Sequence, residues 1–132
     1  MRREISEMSR EGWGKPLLRL MDQAAREDGV WIRDLSAGDT VTVVTRNTRY
    51  ELRILDPERQ LVRATSDGKY VTEPTELCIQ GSSLTGTGTM VRTGWVAVGY
   101  RLLLGADLLL SETREVHLNG IKILPGPAGP VH

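Results

Sequence analysis

Apolar and polar residues change period once along this chain. Leu17, Leu20, Met21, Ala24 and Ala25 recur at helical spacing behind Pro16, which suits a first helical turn, and ahead of Gly29, which suits a helix stop. That pattern predicts one helix over residues 16–28. From Thr40 the period becomes two. Residues 40–45 are β-branched throughout, and Tyr50, Leu52 and Ile54 alternate with Glu51 and Arg53, the pattern of a strand with one wet face. Asp56-Pro57-Glu58-Arg59 and Ser66-Asp67-Gly68-Lys69 are reversals that bracket a further strand over 61–65. Short strands follow over 76–80, 90–92, 95–98 and 100–104, with a glycine-rich, flexible loop expected over 81–89.

The strongest local signal is Val116-His117-Leu118-Asn119-Gly120-Ile121-Lys122-Ile123. Asn-Gly between alternating apolar residues demands a two-residue hairpin, which sets Leu118 opposite Ile121 and His117 opposite Lys122. Pro125, Pro127 and Pro130 keep the C-terminal stretch out of any sheet and suggest a loose tail over 125–132. Taken together the pattern predicts a mainly β protein, a small β-barrel or two-sheet sandwich of about seven to nine short antiparallel strands preceded by one N-terminal α-helix. The expected organisation is a frayed arm over 1–14, a helix and connector over 15–35, a β-barrel domain over 36–124, and the tail.

The segments Val44-Thr45-Arg46-Asn47-Thr48-Arg49-Tyr50-Glu51-Leu52, Gly81-Ser82-Ser83 and Gly94-Trp95-Val96 follow one another in an order with a parallel elsewhere. In this the chain resembles small bacterial β domains with a Thr-x-Asn-x-x-Tyr strand turn and a later Gly-Ser pair. The resemblance covers residues 36–124. It implies a compact β domain and no particular activity.

Composition narrows the function classes. The 132 residues have room for one ordinary core, and 17 basic residues balance 17 acidic ones. No global field therefore draws the chain to nucleic acid or to an anionic membrane. Between Asp39 and Thr72 six basic residues face five acidic ones, which is no footprint for a nucleic-acid strand, and nucleic acid is a disfavoured partner. The apolar stretch over 102–110 contains Asp107 and falls well short of the ~20 residues that span a bilayer. The start of the chain has no apolar segment of the secretory kind, and Cys78 stands alone, so a cytoplasmic, reducing location is expected.

Candidate chemistry is sparse. One cysteine and two distant histidines offer no metal-ligand spacing, and no cofactor motif is present. His117 on a hairpin face and Cys78 without a histidine near it in sequence do not form a catalytic set, so no catalytic residue is assigned. Two ligand surfaces remain. Arg46, Asn47 and Arg49, with Ser82 and Ser83 in the glycine-rich stretch, offer forked donors and backbone N–H groups to an anion, a nucleotide or single-stranded nucleic acid. Leu102, Leu104, Leu108 and Leu110 belong to runs that put leucine on both faces of a strand. One face can enter the core, and the other needs cover from the N-terminal helix or from a second protein. The expectation from sequence is thus a non-catalytic interaction module that self-associates or binds a protein partner, with the small-ligand reading as the alternative.

Overall fold

A computed structural model describes residues 28–67, 71, 73–85 and 90–125, together with Arg19 and Ala24. The arm over 1–14 lies outside the described residues. So do the tail beyond Pro125 and the predicted helix over 16–28, apart from Arg19, Ala24 and Asp28.

Among the described residues eleven strands follow one another: β1 (Gly29–Trp31), β2 (Thr40–Val44), β3 (Arg49–Asp56), β4 (Leu61–Ser66), β5 (Thr75–Ser83), β6 (Val91–Thr93), β7 (Trp95–Ala97), β8 (Arg101–Leu104), β9 (Leu108–Glu112), β10 (Glu115–Leu118) and β11 (Ile121–Leu124). All pairings are antiparallel. Nine strands form one sheet in the order β11-β10-β2-β3-β4-β5-β8-β9, with β6 added to β5, while β1 and β7 form a separate two-stranded ribbon. The expected mainly β, antiparallel architecture is present. A closed barrel is not, because β9 pairs only with β8 and β11 only with β10. Core packing takes the place of closure: Leu110 from one edge and Ile123 and Leu124 from the other share one apolar cluster with Val30 and Val96 of the ribbon.

Alternation explains the inward face. Tyr50, Leu52 and Ile54 of β3 are buried while Arg49, Glu51 and Arg53 are exposed. Val41, Val62, Leu102, Leu104 and Val116 are each 1 % exposed or less, and burying an aliphatic side chain of this size is worth about 1.5–3 kcal/mol. The Asn-Gly hairpin forms with the expected register, His117 opposite Lys122 and Leu118 opposite Ile121. Asn119 and Gly120 both have positive φ, 51° and 86°, as this turn requires. Asn119 also anchors the turn to β2, its Oδ1 accepting from Thr40 N at 2.8 Å and its Nδ2 donating to Asp39 Oδ1.

Two local expectations change. Gly81, Ser82 and Ser83 are not part of a loop but the end of β5, paired with β6 on one side and β8 on the other. Of the rest of that stretch Leu84 and Thr85 are described and 86–89 are not. Gly29 does not act as a left-handed helix stop. The left-handed residue there is Asp28, φ 57°, and Gly29 is already in β1, the strand that the helix reading concealed. Glycine is needed at 29 for space, because a Cβ there would overlap the indole of Trp95.

Among the described residues no helix is long and apolar enough to cross a membrane, and no group of three or more His, Cys, Asp and Glu side chains is placed to hold a metal ion.

Candidate functional site

Pairing of β1 with β7 sets Trp31 directly opposite Trp95. Their ring centroids lie 6.1 Å apart with planes inclined by 36°, and Tyr100 extends the row at 5.4 Å from Trp95. Two arginines cover this aromatic row. The guanidinium carbon of Arg92, on β6, is 4.5 Å from the Trp95 ring centroid and 5.4 Å from that of Trp31, and Arg33 stands 4.7 Å from Trp31. Trp95 is 4 % exposed and Trp31 is half-buried, whereas both arginines are exposed. The aromatic rings are thus set into the protein surface, with the cations on the outside.

Backbone bonds hold the row in place. Ile32 N donates to Gly94 O at 2.8 Å, and Gly94 N donates to Gln80 O at 2.9 Å, which ties β1, the β6–β7 corner and β5 together. Gly94 makes that corner with φ 74°. Below it, the buried Ser82 hydroxyl donates to Trp95 O at 2.7 Å and accepts from Ala97 N at 3.2 Å. Trp95 Nε1 lies against Gly29, is buried and has no hydrogen-bond partner. Leaving such a donor unpaired costs about 1–3 kcal/mol. The packing of the row must offset that cost.

Stacking a guanidinium on an indole uses its π face and leaves its in-plane N–H edge available. Neither Arg33 nor Arg92 has a carboxylate within ion-pair distance among the described residues. Chemically the surface therefore offers two guanidiniums that have no carboxylate partner among the described residues and lie over largely buried indoles. The end of the β5–β6 hairpin adds two exposed apolar side chains, Leu84 at 45 % and Met90 at 67 %, joined by Leu84 N donating to Met90 O.

The residues singled out from sequence fall elsewhere. Arg46 and Asn47 are exposed in the β2–β3 turn, which Thr45 closes through its N–H and hydroxyl to Thr48 O. Arg49 lines a surface cavity of about 220 Å³ with Glu51, Thr65, Ser66 and Asp67. Its backbone is pinned there, its N donating to Asp67 Oδ1 at 2.9 Å. Ser82 and Ser83 are fully buried, lie outside that cavity, and do not join the arginines. Leu102, Leu104 and Leu110 are buried in this chain's own core and Leu108 is half-buried against it.

Sequence reading also passed over a polar pair. Glu115 and His117 are two apart on β10, hence on one face, and Glu115 Oε1 meets His117 Nε2 at 2.9 Å. That hydrogen bond, followed by the charges of Lys122, His117 and Arg49, lowers the Glu115 carboxyl below its ordinary range against the opposing effect of burial. Thr42 lies opposite His117 in register. A carboxylate with a lowered folded-state pKa adds stability that is complete above its unfolded value and disappears as pH falls through the folded one. Unfolding free energy should therefore decline on acidification below the ordinary carboxylate range, and Glu115→Gln should flatten that decline. Because the Glu115 side chain is 40 % exposed, the loss at neutral pH should stay under about 1 kcal/mol. Urea denaturation across pH 3–7 reads both effects, and an unchanged slope in the variant would contradict them.

Comparison of the chain with protein-family models, with curated proteins and with solved structures finds no match. The likeness of residues 45–50 to the bacterial strand turn therefore brings no family with it, and any function rests on the surface itself.

Proposed function

We propose that this chain is a non-catalytic interaction module that binds a protein partner through the face built by Trp31, Trp95, Arg33 and Arg92. The observation that carries the reading is the Arg92 guanidinium held over both indoles on an exposed surface. Tryptophan, tyrosine, arginine and methionine are the side chains that protein interfaces enrich; this face gathers the first three, and Met90 is exposed at the end of the adjoining hairpin. The leucines over 102–110 no longer call for a second copy of the chain, since none of them is among its exposed large apolar residues. An anion, nucleotide or single-strand site on Arg46, Arg49 and the 81–89 stretch has less behind it, because Arg49 shares its cavity with the carboxylates of Glu51 and Asp67. The lone, exposed Cys78 suits a reducing compartment, and we place the module in the cytoplasm.

The test is site-specific photo-crosslinking of the full chain in cells of its native host. A benzophenone at Thr93, exposed beside Arg92, is expected to give a discrete protein adduct that Arg92→Glu abolishes. The same probe at Arg53, exposed on β3 and away from the aromatic row, is expected to give none. Equal adducts at both positions, or none at Thr93, would remove the support for this face.

A further inference from the structure

We infer that the partner segment received by this face is acidic, presenting aspartate or glutamate carboxylates to Arg33 and Arg92 and an aliphatic side chain to Leu84 and Met90. This rests on reading the face as an interaction surface, and it adds the chemistry of the occupant. The first ground is charge. Each guanidinium lies over an indole, and neither has a carboxylate within ion-pair distance among the described residues. A carboxylate accepts two parallel N–H bonds from such a fork, and the stacking has already ordered the arginine, so less side-chain entropy is lost on binding.

The second ground separates a carboxylate from a nucleic-acid phosphate. Base stacking needs an open aromatic face, and here Trp95 is 4 % exposed with Arg92 over its ring, while Trp31 already holds two guanidiniums. A phosphate backbone also needs a broad positive surface to follow, whereas this chain has equal numbers of acidic and basic residues. Two cations at one spot match one or two side-chain carboxylates better than a strand of phosphates.

The third ground is the apolar neighbour. Met90 precedes Arg92 by two residues and meets Leu84 at the hairpin end, where Leu84 N donates to Met90 O. Met90 also holds a left-handed backbone, φ 51°, at 67 % exposure. Its thioether side chain adapts readily to an aliphatic partner. An acidic residue with a leucine-like residue close by therefore satisfies the arginine forks and the hairpin end together.

The experiment uses the full chain and a blocked hexapeptide, Glu-Leu-Asp-Glu-Leu-Asp, followed through the Nε–Hε NMR signals of the arginines. Controls are the amide peptide Gln-Leu-Asn-Gln-Leu-Asn and a ten-residue oligothymidylate. The acidic peptide is expected to move the Arg33 and Arg92 signals selectively and to bind more weakly as salt screens the pair. Arg92→Gln is expected to weaken it about tenfold, and Arg92→Lys, which keeps the charge but loses the fork, by less. Equal binding of the amide peptide would overturn carboxylate recognition while leaving the interaction surface intact. Binding of the oligonucleotide in preference to the peptide would overturn it in favour of nucleic acid. Arginine signals that move with none of the three would overturn it too, and the Thr93 crosslink would then report whether the face itself is used.

Discussion

Gly81→Ala is expected to lower the unfolding free energy by about 4 kcal/mol, the largest effect of a single methyl group that we foresee in this protein. Gly81 has φ 143°, a backbone state that side chains rarely adopt. A Cβ there would overlap the carbonyl oxygen of Arg92, with the carbonyl carbon at 2.8 Å and Gly94 N at 3.0 Å. These are backbone atoms of the adjoining β6 strand and its corner, so no rotamer change relieves the overlap. The ladder that pairs Gly81 with Thr93 and Ser82 with Arg92 would have to open, and Arg92 would leave the indoles as it did so. Gly38→Ala is the matched control, since φ is 97° there but nothing lies within 4 Å of the new atom. Its cost should be the conformational one alone, about 1 kcal/mol. Urea denaturation of both variants checks this, and a Gly81→Ala protein close to wild type would refute the packing described for the β5–β6 hairpin.

Leu102→Ala is expected to cost about 3 kcal/mol, independently of protein concentration. Leu102 is 0 % exposed within a single chain and lies opposite Ser82 across β5 and β8. Removing three carbons there leaves a cavity that the hydrogen-bonded strands on either side cannot close. If the residue instead completed an interface between copies, the loss would grow on dilution, because assembly would be linked to folding. Melting curves over a hundredfold concentration range separate the two. Leu84→Ala, at 45 % exposure, should change stability by less than about 0.5 kcal/mol.

What could be read from the chain follows from how local each cause is. Alternation in Tyr50, Leu52 and Ile54, the turn at Asp56-Pro57, and the Asn119-Gly120 hairpin are set by neighbouring residues, and all three form as expected. Closure of the sheet was not legible, because β9 and β11, though near one another in sequence, stand at opposite ends of the strand order, and whether those edges meet is set by all the strands between them. Nor was β1, since Gly29 reads equally well as a helix stop and as a gap left for the Trp95 indole. The aromatic row depends on pairing Trp31 with Trp95 across nearly half of the chain. A trace of it was present all the same. Trp31 has an arginine two residues on and Trp95 one three residues back, so two of the three tryptophans carry a cation within reach of their rings. Sequence reading weighed the arginines around Tyr50 instead. Serine at 82 and 83 suggested a ligand loop because hydroxyls beside glycine suit both an anion site and a strand end. Burial decides for the strand end.

The central claim is that Arg92 is stacked on both indoles with no ion-pair partner among the described residues, and NMR of the free protein tests it most directly. The expected result is a strong upfield ring-current shift of the Arg92 δ-methylene and Hε protons, with Hε exchanging rapidly with water. Trp31→Ala should reduce the shift. Arg92 resonances at the values of an unstructured arginine, or an Hε protected by a bond within the chain, would contradict the claim.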